Sequence, residues 1–307
     1  MQDLFSNMLE KNIGIKKNIF ITKLFNLLIE ILILEEKYSS HYIHKKVNIG
    51  EFNYLLENIK LENLYELIKK HKLYFLISKS IFMKKNLPSY LYEKVINCAR
   101  IAKKSCLENI FLTCEIYRIL KKENIEMIFL KGPVLSLQTT NSIFLRGPSK
   151  DIDILIKPHD LIKTINILLN NGFKTRKSSY IYLRNDLYGR YSRNVNTQMI
   201  LFKEMYDSTL NIDLHWNLSF IKNKILNESL LFNNREYVYF KNLNIPTLNK
   251  KDALIHASIH NAIDDWKNLR GILDFERLIR NFRILEMKEL KKDKIFVKNC
   301  LTCYQIT

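Results

Sequence analysis

Two aspartates, Asp151 and Asp153, stand two residues apart in the run Asp151-Ile-Asp-Ile-Leu155. From Lys150 to Ile154 polar and apolar residues alternate, which is the period of a β-strand. A strand places residues i and i+2 on one face, so both carboxylates point together while Ile152 and Ile154 turn toward a core. Like charges so close repel, and each raises the pKa of the other. A hard divalent cation such as Mg²⁺ relieves the conflict, because it takes oxygen ligands from carboxylates and phosphates. A solvated pair on an exposed edge strand relieves it too, and a bare D-x-D does not separate the two cases.

Further residues bear on the choice. Asp213 repeats the arrangement in Asn211-Ile-Asp-Leu-His215, where Leu210, Ile212 and Leu214 form the apolar side and Asp213 faces away. It offers a third carboxylate. Leu130-Lys131-Gly132 closes one apolar run and opens another, and a glycine at such a junction lets backbone N–H groups approach a phosphate at a helix start. Arg146 and Lys150 precede the aspartate pair, where a triphosphate needs cations. His215 shares the Asp213 face; supporting the site from a second layer, touching substrate, and being a histidine satisfied near a sheet end are all compatible with its position.

The elements that must position these residues follow from hydrophobic periodicity. Residues 15–120 read as successive helices, with Leu61, Leu64, Tyr65 and Ile68 on one face and Leu107, Ile110, Phe111, Cys114 and Tyr117 on another. Ile125 to Leu130 has strand length. Pro133 suits the first turn of a helix through Val134, Leu135 and Leu137. Lys150 to Lys157 is a strand, and Pro158 to Asp160 starts a helix that ends at Asn171 and Gly172. Residues 173–193 are irregular, basic and rich in tyrosine. Strands are expected over Thr197–Phe202 and Ser208–Leu218, and helix from about Lys250 to Arg283. Of 7 glycines and 5 prolines in 307 residues, most fall between residues 132 and 189; so few turn residues argue against an all-β fold.

Leu130-Lys-Gly132, Leu145-Arg146, Asp151-Ile-Asp-Ile-Leu155 and Asn211-Ile-Asp-Leu-His-Trp216 together resemble the nucleotidyltransferase (polymerase β-like) superfamily. The similarity is strongest to its group of uncharacterised bacterial nucleotidyltransferases and covers about residues 105–280. It implies an α+β fold, with a mixed β-sheet flanked by helices and two Mg²⁺ ions held by Asp151, Asp153 and Asp213. It further implies that Asp213 holds the metal near the acceptor and helps deprotonate it. Gly132 would bring backbone to the triphosphate, Lys131 would neutralise charge, and Arg146 would orient the phosphates. The chain departs from the superfamily at Pro133, where many members carry Gly or Ser, so one N–H and one hydroxyl are missing there.

The expected organisation is a helical region over 1–104, the nucleotidyltransferase core over 105–220 and a mainly helical region over 221–307. The expected activity is Mg²⁺-dependent transfer of a nucleoside monophosphate, most simply AMP from ATP, with release of pyrophosphate. The acceptor is a small molecule or peptide in preference to RNA. The alternative is a non-catalytic module on a degenerate version of the fold, binding nucleotide, RNA or a partner protein.

Composition narrows the remaining classes. The net charge of +18 attracts anionic partners, yet it is spread along the chain rather than clustered, and an AT-rich coding bias toward lysine produces the same excess. Five cysteines, an odd number in a large chain, argue against a disulfide framework; Cys98, Cys106 and Cys114 suit apolar packing, and Cys300/Cys303 is a lone C-x-x-C. Lys23, Asn26 and Glu30 form one polar face on the apolar stretch 19–34, which marks an amphipathic helix rather than a membrane span. No secretory signal is visible, so a cytoplasmic protein is expected. His256 and His260 share a helix face but lack a third ligand, which favours packing or polar contacts. Asp264, Asp265, Arg270, Asp274 and Arg277 are expected on a charged face or in interdomain contacts. Tyr180, Tyr182, Arg184, Tyr188, Arg190, Tyr191 and Arg193 suit either stacking on a base-bearing substrate or an ordinary exposed loop.

Overall fold

A computed structural model describes residues 19–37, 47–205, 208–218, 228–264 and 268–280. Cys300, Cys303, Asp265 and the lysine-rich segment 291–298 lie outside the described residues. The chain forms two compact units. One comprises the described residues of 1–103, 145–147 and 256–307, and the other residues 104–144 and 148–255.

The first unit is helical. Its helices are α1 (Ile19–Lys37), α2 (Ile49–Glu57), α3 (Leu61–Lys70), α4 (Tyr74–Lys79), α5 (Ile81–Asn86) and the start of α6 (Ser89–Lys122). Caps fix their ends: the Asn48 side chain accepts from Glu51 N, and Ser80 Oγ from Met83 N at 2.9 Å. Helix α1 buries Leu24, Phe25, Leu28, Ile29, Ile31 and Leu32 on the face opposite Lys23, as its amphipathic pattern predicts. No described helix is long and apolar enough to cross a membrane. Helix α12 (Leu269–Arg280) belongs to this unit and carries ionic residues inward. Arg277 Nη2 lies 2.6 Å from Glu36 Oε1, and Asp274 takes a 2.7 Å hydrogen bond from Arg146 Nε. Asp274 and Arg277 are therefore buried ion-pair members, so of the two places expected for them, a charged face or an interdomain contact, the exposed face does not hold.

The second unit is built on a seven-stranded mixed sheet in the order β3-β4-β5-β2-β1-β7-β6. The strands are β1 (Met127–Phe129), β2 (Asp151–Ile156), β3 (Lys174–Thr175), β4 (Gln198–Glu204), β5 (Thr209–His215), β6 (Glu236–Phe240) and β7 (Leu243–Thr247). Strands β2 and β5 are parallel, as are β1 and β7, and the other pairings are antiparallel. Residues 104–122 of α6, together with α7 (Gly132–Thr140) and α8 (Leu161–Asn170), flank this sheet in the chain order expected of an α+β fold. The core joins Ile110, Ile116 and Leu120 of α6 to Phe129, Ile152, Ile154, Leu201, Ile212 and Leu214 of the sheet and to Ile165 and Leu168 of α8.

Three stretches differ from the sequence reading. The region over 221–307 is helical as expected at α10 (Glu228–Asn233), α11 (Lys250–Ile263) and α12, but the hairpin β6–β7 within it was not anticipated. Val238 is buried while Tyr237 and Tyr239 are exposed, so the alternation of a strand is present. Pro246 sits inside β7, and only Thr247 of that strand registers with β1, so most of β7 has β6 as its single strand neighbour. Proline is tolerated at such a position. Residues 173–193, expected to be irregular, form β3, a 3₁₀ helix (Lys177–Leu183) and most of α9 (Leu187–Val195), whose N-cap Asp186 accepts from Gly189 N. On α6, Ile110, Cys114 and Tyr117 are buried as expected, but Leu107 and Phe111 are exposed. Lys241 Nζ lies 5.0 Å from the Phe111 ring, a cation–π contact that covers the aromatic without burying it. Among the described residues no disulfide joins Cys98, Cys106 or Cys114; Cys106 and Cys114 are buried and Cys98 is half-buried.

Candidate active site

The candidate site lies on the sheet of the second unit and is fixed by strand register. Asp151 pairs with Asn211, Asp153 with Asp213, and Leu155 with His215 across the parallel β2–β5 ladder. Adjacent strands are about 4.8 Å apart, and residues in register point to the same face. Ile152, Ile154, Ile212 and Leu214 fill the core on the opposite face, each no more than 2% exposed. The same alternation that buries the isoleucines therefore gathers Asp151, Asp153, Asp213 and His215 on one side.

The tightest group is Asp153, Asp213 and His215: each offers one ligand atom, and these atoms lie within 4.8 Å of one another. His215 Nε2 is 3.5 Å from Asp153 Oδ1, with side chains 8% and 12% exposed. Neither ring nitrogen of His215 has a hydrogen-bond partner among the described residues. Asp151 stands outside this closest group, yet its charge acts on Asp213. Burial first, then the charges of Asp153 and Asp151, push the Asp213 carboxyl up from 3.8 to about 6, against the opposing pull of His215 and Lys131. The donor set fits a bound cation: two adjacent carboxylates, a third carboxylate in electrostatic range, and a buried imidazole with unpartnered nitrogens.

The neighbouring junction is built from β1 and α7. Leu130 N donates to Asp153 O at 3.0 Å, tying the end of β1 to the D-x-D strand. Gly132 opens α7 at φ +66°, in the left-handed region that glycine accepts and other residues resist. A Cβ there would lie 3.4 Å from Ser149 Oγ and 3.9 Å from Asp151 O. Pro133 occupies the first turn, as expected. Ser149 is itself placed by Asn109 of α6, whose Oδ1 accepts from Ser149 N at 2.9 Å. Lys131 is half-buried and electrostatically coupled to Asp213, and Lys150 is exposed beside Asp151.

A family model described as an uncharacterised nucleotidyltransferase matches residues 57–294. The chain belongs to that family. No curated protein matches it. This nucleotidyltransferase family member thus carries two strand carboxylates facing a third across a parallel ladder, with a positive-φ glycine at the adjoining helix start.

Arg146 is placed by a different partner. It belongs to the helical unit, where Asp274 holds its guanidinium and both side chains are almost wholly buried. A partner 128 residues away in sequence accounts for its burial, a role that local spacing does not reveal. His215 has the opposite history. The two-residue step from Asp213 signals its place on this face, although the sequence left open a second-layer or substrate role and a histidine satisfied near a sheet end. Ser149 had no signal at all. His256 and His260 face each other with ring centroids 6.4 Å apart, and His260 Nδ1 lies 3.5 Å from Asp264.

The Tyr/Arg stretch packs beside the end of β5. Trp216 Nε1 donates to Arg193 O at 2.9 Å, and the Tyr182 ring meets Trp216 edge-on at 5.4 Å. Arg193 Nη1 donates to the carbonyls of Tyr182 and Arg184. Tyr180, Tyr188 and Tyr191 remain exposed.

Proposed function

We propose that this protein transfers a nucleoside monophosphate from an NTP, most simply AMP from ATP, to a nucleophilic acceptor and releases pyrophosphate. The carrying observation is the in-register pairing of Asp153 with Asp213 on the face that also holds Asp151, in a chain of the nucleotidyltransferase family. Asp151, Asp153 and Asp213 would hold Mg²⁺, two ions in the expected arrangement. When bound, Mg²⁺ supplies neutralisation of the triphosphate and of the leaving pyrophosphate.

The chain's own groups do the rest. Gly132 lets the start of α7 approach the phosphates closely, where helix N–H groups favour anions. Pro133 removes one donor from that turn, while the Ser149 hydroxyl stands next to Gly132. Lys131 and Lys150 add positive charge at the phosphate end. Asp213 Oδ takes the proton of the acceptor as its nucleophile attacks the α-phosphorus; the new bond forms there as the bond to the β-phosphate's bridging oxygen breaks. A small molecule or peptide acceptor is preferred over RNA because the basic residues are spread along the chain. A cytoplasmic setting, with NTP and Mg²⁺ at hand, suits this reading.

The experiment is pyrophosphate release from each of the four NTPs with Mg²⁺. Release from at least one NTP, abolished by Asp153→Ala and by Asp213→Ala, is expected. Release that persists in both variants contradicts the assignment.

A further inference from the structure

The carboxylates alone leave one group on the site's face unexplained. His215 is buried, with a relative exposure of 6%, and both Nδ1 and Nε2 lack a hydrogen-bond partner among the described residues. Burying an imidazole without satisfying its nitrogens is costly, on the order of 1–3 kcal/mol per unmet polar group. A structural histidine at a sheet end would be expected to donate or accept at least once. Instead its Nε2 lies 3.5 Å from Asp153 Oδ1, and it shares with Asp153 and Asp213 a set of ligand atoms within 4.8 Å of one another. Two ligands at about 2.1 Å from one ion stand about 3.0 Å apart when adjacent and about 4.2 Å when opposite. The 3.5 Å separation falls between these values.

We propose that His215 is a direct nitrogen ligand of the cation held by Asp153 and Asp213, which gives the site a preference for Mn²⁺ or a similar transition ion over Mg²⁺. The inference rests on the metal-site reading given above and extends it from an all-oxygen set to a mixed one. Mg²⁺ prefers oxygen ligands and gives up its water reluctantly, so a nitrogen ligand favours a first-row transition ion over it; Mn²⁺ is the weakest-binding of that series and the gain rises toward the later ions. The strand holds the histidine in a ligating position. Asp213 and His215 are two residues apart on β5, and His215 registers against Leu155, two residues beyond the Asp153–Asp213 pair and on the same face.

The test uses the full-length protein and Mn²⁺ alone. Electron-spin-echo envelope modulation of bound Mn²⁺ is expected to show coupling to an imidazole ¹⁴N, and that coupling is expected to vanish in His215→Gln. Calorimetric titration is expected to show Mn²⁺ binding about tenfold or more tighter than Mg²⁺, with the ratio falling to about threefold in His215→Gln. Bound Mn²⁺ without ¹⁴N coupling in the wild-type protein overturns the nitrogen ligand and leaves the carboxylate reading standing. No Mn²⁺ or Mg²⁺ binding in the millimolar range overturns both. The wild-type spectrum decides the matter even if the variant folds poorly.

Discussion

Removing a charge from the candidate site should make the metal-free protein more stable. Asp213 is the test position, because burial and the charges of Asp153 and Asp151 hold its carboxyl at about 6 instead of 3.8. Carrying that difference through at about 1.36 kcal/mol per pKa unit gives about 3 kcal/mol of strain in the ionised site. Part of the side chain reaches solvent, so screening reduces the figure to about 1–2 kcal/mol. The sign follows from proton binding. Below pH 3.8 the folded and unfolded states are both protonated at this group. Between 3.8 and about 6 the unfolded chain loses its proton first, so stability falls as pH rises, and it levels off above the folded pKa. Asp213→Asn escapes this loss. In EDTA at pH 7.5, urea denaturation should place the variant about 1–2 kcal/mol above the wild type, with the gap closing toward pH 4. Saturating Mg²⁺ or Mn²⁺ should reverse the order, since the cation binds the folded wild type. A variant less stable than wild type in EDTA at pH 7.5, or a gap independent of pH, refutes the electrostatic reasoning.

Other substitutions probe the supports. Gly132→Ala places a Cβ at φ +66° and beside Ser149 Oγ, so thermal denaturation should show a loss of about 1–2 kcal/mol, and NTP binding should weaken in a fluorescence titration. Asp274→Ala takes the Asp274 carboxylate away from the buried Arg146 guanidinium and should cost about 3–5 kcal/mol in chemical denaturation. Gly271→Ala sets a Cβ 2.0 Å from Asn261 Oδ1, whose own Nδ2 donates to Gly271 O; displacing it should cost about 1–3 kcal/mol, and Asn261→Ala should recover part of that loss.

The site was legible in the sequence where one physical rule governed both burial and chemistry. In β2 and β5 the residues that alternate with buried Ile152, Ile154, Ile212 and Leu214 are the ones that carry carboxylates, so period two alone put Asp151, Asp153 and Asp213 outward. Gly132 and Pro133 marked the start of α7 because a left-handed residue and a residue without an N–H are both specific to that junction. Long-range pairing was not legible. Nothing near Arg146 announces Asp274, and nothing near Ser149 announces Asn109. The β6–β7 hairpin was not read from the sequence; Pro246 lies inside β7 and fits there because β7 meets β1 only at Thr247. Tyrosines and arginines over 180–193 left a base-stacking surface and an exposed loop equally open, since the anchors that order them, Trp216 and the carbonyls of Tyr182 and Arg184, are backbone or distant partners.

The central claim is nucleotidyl transfer at the Asp153–Asp213 face, and the fate of two isotopic labels tests it most directly. ATP labelled at the α- or γ-phosphate is supplied in parallel with Mg²⁺ and a mixed acceptor pool of peptides, small hydroxylated metabolites and total RNA. The account predicts α-label in a covalent product and γ-label in pyrophosphate, both lost in Asp153→Ala. Gamma label transferred to an acceptor or released as inorganic phosphate, or no turnover of any NTP, contradicts it.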